Sequence, residues 1–227
     1  MSITSQAVQE FRTRLAGLAG GRPIALVAVS KTQAAGRLRE AHAAGLQAFG
    51  ENYLQEALAK QAELADLAIE WHFIGPLQSN KTRPVAEHFD WVHSVDRLKL
   101  AERLSAQRPA ALAPLQLCLQ VNVSGEASKS GVAPAELPVL AHAVAALPGL
   151  RLRGLMAIPE PTPDAALLRG RFRLLRELRD GLIAEGLPLD TLSMGMSADY
   201  SLAIQEGATL VRIGSLLFGK RPPRAAG

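Results

Sequence analysis

The 227-residue chain contains a single cysteine, Cys118, set in an apolar run. One thiol excludes an internal disulfide framework and fits a reducing compartment, with Cys118 read as a small core hydrophobe. Aromatic residues make up only 4% of the chain and no stretch resembles a nucleic-acid-reading motif, so nucleic-acid recognition is not expected. The excess of 25 basic over 21 acidic residues is too small to locate a basic patch. The densest cluster, Arg169, Arg171, Arg173, Arg176 and Arg179, is threaded through Phe172, Leu175, Leu178 and Leu182, which predicts an amphipathic helix with a solvated basic face. No apolar run is long enough to cross a bilayer, and the first residues lack a basic segment followed by an apolar one, so a soluble cytoplasmic protein is expected. His42, His72, His88, His93 and His142 have neither the short spacing nor the thiolate partners of a zinc site, and read as packed or surface histidines with no metal. There is no phosphate-loop lysine motif and no dinucleotide fingerprint, which disfavours ATP and NAD chemistry. No linker or low-complexity tract divides the chain, so a single domain over 1–227 is expected, with a short flexible tail over 221–227.

With 48% hydrophobic residues, the chain can bury a full core. An opening helix is predicted over 4–18, where Val8, Phe11, Leu15 and Leu18 recur at helical spacing before Gly20 and Gly21. Apolar runs then alternate with helical patterns. Strands are expected at 24–31, 47–50, 70–75, 90–95, 114–123, 150–158, 191–194 and 208–213, with helices between them. One of these helices continues past Pro84, another opens through Asp96 as a candidate cap, and another runs from about 199 to 205. About eight such units without a tandem hairpin signal predict a compact α/β fold, a (β/α)8 barrel. An open doubly wound sheet is the alternative.

The first strand ends abruptly in Lys31. Period-two alternation puts Ala25, Val27, Val29 and Lys31 on one face, so the ammonium tops an apolar column where desolvation favours the neutral, nucleophilic amine. The competing reading is a lysine that simply begins a solvated loop. In a barrel, ligand groups stand at the C-terminal strand ends, and phosphates are often held after strands seven and eight. Those two loops are Ser193-Met194-Gly195-Met196-Ser197-Ala198-Asp199 and Arg212-Ile213-Gly214-Ser215. They offer two glycines for close backbone approach, hydroxyls at Ser197 and Ser215, and a helix start that Ser197 could cap. Glycine and serine are also ordinary turn residues, and Arg212 could be a snorkelling rim residue instead of a ligand group. Lysine for an aldehyde, a phosphate cradle, and arginine beside a ring nitrogen together describe pyridoxal phosphate. Glu51, Asn52, His72, Asn80 and Asn122 fall near predicted strand ends, where a supporting role and simple loop capping serve equally.

Several blocks carry a closer likeness: Val29-Ser30-Lys31-Thr32, Phe49-Gly50-Glu51-Asn52-Tyr53, residues 71–81, Val121-Asn122-Val123-Ser124-Gly125-Glu126, Lys129-Ser130-Gly131, residues 153–159, 193–197 and 211–214. In register from about 24 to 219, they resemble the pyridoxal phosphate homeostasis protein family, whose barrel is related to the N-terminal domain of alanine racemase. The resemblance implies a fold-type III barrel with an extra N-terminal helix and pyridoxal 5'-phosphate held as a Schiff base on Lys31. It implies Ser193, Ser197, Gly214 and Ser215 near the phosphate, Arg212 facing the pyridine nitrogen, and Asn52 and Met194 among the cofactor-binding positions. The family usually continues the lysine motif with Lys-Pro, where this chain has Gln33 and Ala34.

A guanidinium opposite the ring nitrogen favours the unprotonated pyridine and a weak electron sink. Related racemases add a tyrosine base from a separate domain, and only one obvious base is present here. The expected function is therefore a monomeric, non-catalytic carrier that supports intracellular vitamin B6 homeostasis and delivers the cofactor to apo enzymes. The alternatives are a low-activity amino-acid racemase and a lysine Schiff-base aldolase.

Overall fold

The computed structural model describes residues 5–125 and 130–219. Thr4 of the predicted first helix, residues 126–129 with Lys129 of the motif above, and the expected tail over 221–227 lie outside the described residues.

Eight parallel strands close into a barrel in sequence order: β1 (Ala25–Val29), β2 (Ala48–Glu51), β3 (Glu70–Phe73), β4 (Trp91–Val95), β5 (Leu115–Gln120), β6 (Leu150–Met156), β7 (Thr191–Ser193) and β8 (Leu210–Ile213). Pairing of β1 with β8, Val27 opposite Arg212, completes the ring and removes the open-sheet alternative. The helices are α1 (Ser5–Leu18), α2 (Ala35–Ala43), α3 (Leu54–Glu63), α4 (Thr82–His88), α5 (Leu98–Gln107), α6 (Leu137–Ala145), α7 (Ala165–Ala184), α8 (Tyr200–Gln205) and α9 (Ser215–Phe218).

The strands are apolar on their outer faces because helices cover them, while the inside is filled by a mixture of apolar side chains and the buried polar groups of His72, His93, Ser193 and Arg212. Ala28, Phe49, Phe73, Val92, Leu117 and Leu155 point outward into the main core, whereas Trp91, Cys118 and Met156 form a separate buried cluster. At Gly154, paired with Thr191, an added Cβ would lie 1.8 Å from the Thr191 carbonyl oxygen, so β6 and β7 can approach this closely only without a side chain.

Several local details differ from expectation. Strand β1 ends at Val29, and Lys31 lies in the turn beyond it; β6 ends at Met156 instead of Ile158. Asp96 does not cap α5, whose N-cap is Arg97; the carboxylate pairs instead with the Arg97 guanidinium at 2.7 Å. Pro84 falls in the first turn of α4, where its missing N–H removes no helical bond. The basic face of α7 is not wholly solvated: Arg169, Arg173 and Arg176 converge on the buried Glu206 carboxylate at 3.4–3.5 Å.

Helix α7 buries Leu168, Phe172, Leu175 and Leu182, and starts where Asp164 accepts hydrogen bonds from the N–H groups of Ala166 and Leu167 at 2.8 and 3.1 Å. Asp164→Ala is expected to cost about 1 kcal/mol, which thermal unfolding would register as a Tm lower by roughly 2–4 °C.

Candidate functional site

The C-terminal mouth of the barrel holds a cavity of about 190 Å³ lined by Val29, Lys31, Gln33, Met196, Ser197, Arg212, Gly214, Ser215, Phe218 and Gly219. Val29 and Lys31 share it, as strand alternation from β1 requires, while Ala25 and Val27 line a cavity at the opposite mouth. Of the residues singled out in the sequence, Lys31, Ser197, Arg212, Gly214 and Ser215 meet in this one place. Its described lining supplies two cationic groups and two hydroxyls, and no carboxylate.

The loops are built for close approach. Gly195 has φ +96°, and a Cβ there would lie 2.8 Å from Ala203 Cβ and 3.0 Å from Tyr200 Cα, so only glycine lets the loop lie on α8. Its carbonyl accepts from the Arg212 N–H at 3.0 Å, tying the two loops together. Ser197 does not cap α8. Asp199 is the N-cap residue, and its Oδ1 accepts from the Met196 N–H at 2.6 Å, which closes the loop and leaves the Ser197 side chain on the cavity wall.

Three expected positions do not line the cavity. Met194 is buried in the outer core. Ser193 lies inside the barrel, where its Oγ accepts from Arg212 Nη1 at 2.8 Å and meets His93 Nδ1 at 2.7 Å. Asn52 follows β2 at the same end of the barrel, and its buried Oδ1 has no hydrogen-bond partner among the described residues.

Arg212 is no rim residue. It is 3% exposed, and its guanidinium donates to Ser193 O at 2.7 Å, Ser193 Oγ at 2.8 Å and Ala157 O at 3.1 Å. Burial pulls its pKa down to about 10, opposed by Cys118 and Asp199, so it stays cationic at neutral pH. Burial also pushes the Cys118 thiol up to about 12, which keeps it protonated and inert inside the barrel.

Sequence reasoning missed what fixes the backbone around Lys31. Glu51 Oε1 accepts from Ser30 Oγ at 2.6 Å and from Lys60 Nζ at 2.7 Å, with Glu51 fully buried and the Lys60 side chain 6% exposed. Lys60 Nζ also donates to the Ser30 carbonyl at 2.8 Å and to Glu56 Oε1 at 2.6 Å. The same Glu56 oxygen accepts from the N–H of Thr32, whose φ of +66° is strained for a β-branched residue. Lys31 is thus clamped on both sides, through Ser30 and Thr32. Burial raises the Glu51 pKa, with Lys60 and Ser30 pulling against it. The spacing of Glu56 and Lys60 was readable as a helical pair; their reach to Glu51 was not.

Another cavity, about 480 Å³, opens at the N-terminal mouth and includes Glu70, His72, Trp91, Arg153 and Asp190. Its main cation is already engaged. Arg153 pairs with Asp190 at 2.6 Å, donates to Gln116 Oε1 at 2.8 Å, and lies 5.0 Å from the Trp91 ring centroid. Among the described residues, lysine, guanidinium and loop glycines stand together at the other mouth, which makes the cavity of about 190 Å³ the candidate site.

Comparison with known proteins agrees with this choice of fold. A family model described as the alanine racemase N-terminal domain matches residues 3–222. The chain is 68% identical over 213 residues to the pyridoxal phosphate homeostasis protein of Pseudomonas aeruginosa, covering 92% of this chain and 91% of that one. It is 53% identical over 204 residues to the protein of the same name in Escherichia coli, covering 87% and 86%. The structure of PipY from Synechococcus elongatus, with PLP bound, superimposes with a TM-score of 0.82 at 45% identity, over 92% of this chain and 99% of that one. The chain belongs to the alanine racemase N-terminal domain family and, within it, to the pyridoxal phosphate homeostasis proteins.

Proposed function

We propose that this protein binds pyridoxal 5'-phosphate as a Schiff base on Lys31 and serves intracellular cofactor homeostasis as a cytoplasmic, monomeric carrier without strong catalytic activity. Apo enzymes that use the cofactor are its proposed recipients. One observation carries the reading: a single cavity brings Lys31, Arg212, Ser197, Gly214 and Ser215 together. The donor set suits a phosphorylated aldehyde with a basic ring nitrogen, and the absence of a carboxylate from the described lining suits its anionic phosphate. A Cβ on Gly214 would crowd the Val29 carbonyl at 3.3 Å and Val29 Cβ at 3.4 Å, so glycine keeps that wall open. The orphaned Asn52 Oδ1 is a further acceptor at this end of the barrel. PipY, whose structure holds PLP, supports the assignment of the cofactor.

When bound, the cofactor supplies an aldehyde for attachment and a ring that withdraws electrons. Lys31 Nζ provides the attaching amine, held by the clamp on Ser30 and Thr32. Ser197, Ser215 and the neighbouring backbone N–H groups hold the phosphate. Arg212, cationic and donor-only, is the ring-nitrogen partner; it leaves that nitrogen unprotonated and so limits carbanion chemistry. Restraint of reactivity is the function this geometry serves.

The test is deuterium exchange at the α-carbon of alanine or serine in deuterated buffer. The carrier reading expects exchange no faster than with free cofactor. Faster exchange that vanishes in Lys31→Ala would assign a low-activity racemase instead.

A further inference from the structure

Inside the barrel, five side chains run from one mouth to the other. Arg212 Nη1 reaches Ser193 Oγ at 2.8 Å, Ser193 Oγ meets His93 Nδ1 at 2.7 Å, His93 Nε2 meets His72 Nδ1 at 2.9 Å, and His72 Nε2 meets Glu70 Oε1 at 2.7 Å. Arg212 and Ser193 lie beneath the cofactor cavity, whereas Glu70 and His72 line the cavity at the N-terminal mouth.

The two ends set the direction of every hydrogen. A guanidinium only donates and a carboxylate only accepts. Glu70 is held ionised, its pKa lowered chiefly by the hydrogen bond from His72, so His72 carries its hydrogen on Nε2. His93 is completely buried, and desolvation holds its pKa well below the usual histidine value, with His72 and Arg212 acting the same way. Neutral His93 has one N–H, which goes from Nε2 to His72 Nδ1, leaving Nδ1 to accept the Ser193 hydroxyl. Ser193 Oγ then accepts from Arg212. One consistent polarity runs from Arg212 to Glu70.

Protonation of His72 breaks that pattern. With hydrogens on both nitrogens, His72 can no longer accept from His93, so His93 must move its hydrogen to Nδ1 and point it at Ser193 Oγ. That oxygen then receives two donors, and its own hydrogen loses its partner. We propose that Glu70, His72 and His93 are positioning residues for Arg212, and that the cofactor site reads the protonation of His72 at the opposite mouth through the His93 tautomer. The groups facing His72 are Glu70 on its own strand, Trp91 stacked at 5.4 Å and His93 on β4, and Arg153 on β6, neutralised by Asp190. Glu70 is the carboxylate in contact, so it is the group whose removal tunes the device.

This rests on the pyridoxal phosphate reading for its second half only, and the experiment separates the two. In full-length protein without cofactor, imidazole nitrogen NMR across a pH titration is expected to show both His72 and His93 as Nε2–H at neutral pH. His93 should switch to Nδ1–H with the same midpoint as protonation of His72. With cofactor, the dissociation constant should rise about fivefold through that midpoint, the equivalent of one hydrogen bond. Glu70→Gln, at a half-exposed position, removes the anion in contact with His72 and should displace both transitions together. A His93 tautomer that ignores His72, or an affinity change that does not follow Glu70→Gln, would overturn the proposal. A wild-type protein that binds no cofactor at any pH would overturn the functional reading instead and leave the tautomer result standing.

Discussion

Lys60→Met is expected to destabilise the protein by about 3–5 kcal/mol at neutral pH, a larger loss than the Asp164 cap and enough to lower Tm by roughly 10 °C. The reason is the partner left behind. Glu51 is fully buried, one of its oxygens already lacks a hydrogen-bond partner, and Lys60 supplies the cation at 2.7 Å that makes its ionisation tolerable. Methionine fills similar space and leaves a carboxylate paired only with the Ser30 hydroxyl. The pH dependence has a definite sign. The folded pKa of Glu51 is raised by burial, and removing Lys60, which lowers it, raises it further. A raised carboxyl pKa contributes stability that is present below the unfolded value and lost as pH rises through the folded one. The defect of Lys60→Met should therefore shrink on acidification towards the unfolded Glu pKa and be greatest at neutral pH. Denaturant unfolding at two pH values checks both magnitude and sign. A loss below about 1 kcal/mol, within the range of a surface ion pair, would mean that the clamp is not buried in the sense described. Replacing both partners, as Glu51→Leu with Lys60→Met, should recover much of the stability, because a buried ion pair contributes little net energy while half of one is costly. It should not recover the cofactor site, since the Ser30 hydroxyl and carbonyl would still lack Glu51 and Lys60, and Glu56, which holds the Thr32 N–H, would have lost its bond to Lys60.

Lys31→Ala is expected to abolish the visible absorbance that the wild-type protein acquires on incubation with pyridoxal phosphate, and to weaken retention of the cofactor by at least about tenfold, or about 1.4 kcal/mol. Stability should change little, because Lys31 lies in a turn and only partly buried. The remaining lining, Arg212, Ser197, Gly214 and Ser215, still offers a phosphate and ring site, so weak noncovalent binding should persist. That separation of attachment from binding distinguishes loss of one amine from collapse of the cavity. A variant that keeps the visible band would place the attaching amine elsewhere; one that binds nothing would show that Lys31 also shapes the cavity.

Much of the fold was legible because barrels repeat. Eight apolar runs alternating with helical spacing leave few architectures, and period-two alternation in β1 correctly put Lys31 on the inner face although the strand stops at Val29. The strand-end loops were legible for a similar reason: the address of a ligand in a barrel follows from topology. What could not be read depends on closure. His93 and Ser193 are 100 residues apart, and nothing local in either says that they meet across the barrel interior. The resemblance puts Ser193 near the phosphate, and no local feature of the sequence announces its bonds to His93 and Arg212 inside the barrel. Arg212 was ambiguous between rim and ligand because an arginine at a strand end shows neither its burial nor its carbonyl partners in sequence. Glu56 and Lys60 stand four residues apart, a spacing that shows a helical pair and nothing of the bonds Lys60 makes to Glu51 and Ser30 or Glu56 makes to Thr32. Cap residues failed most simply. Asp96 and Ser197 are good capping types, but the helices begin beyond them, at Leu98 and Tyr200.

The central claim is that Lys31 is the point of covalent attachment, and borohydride reduction followed by peptide mass spectrometry tests it most directly. After incubation with pyridoxal phosphate and reduction, the proposed reading expects one stable modification per chain, on the peptide containing Val29-Ser30-Lys31, and none there in Lys31→Ala. Stoichiometric modification of a different lysine, with Lys31 unmodified, would contradict it.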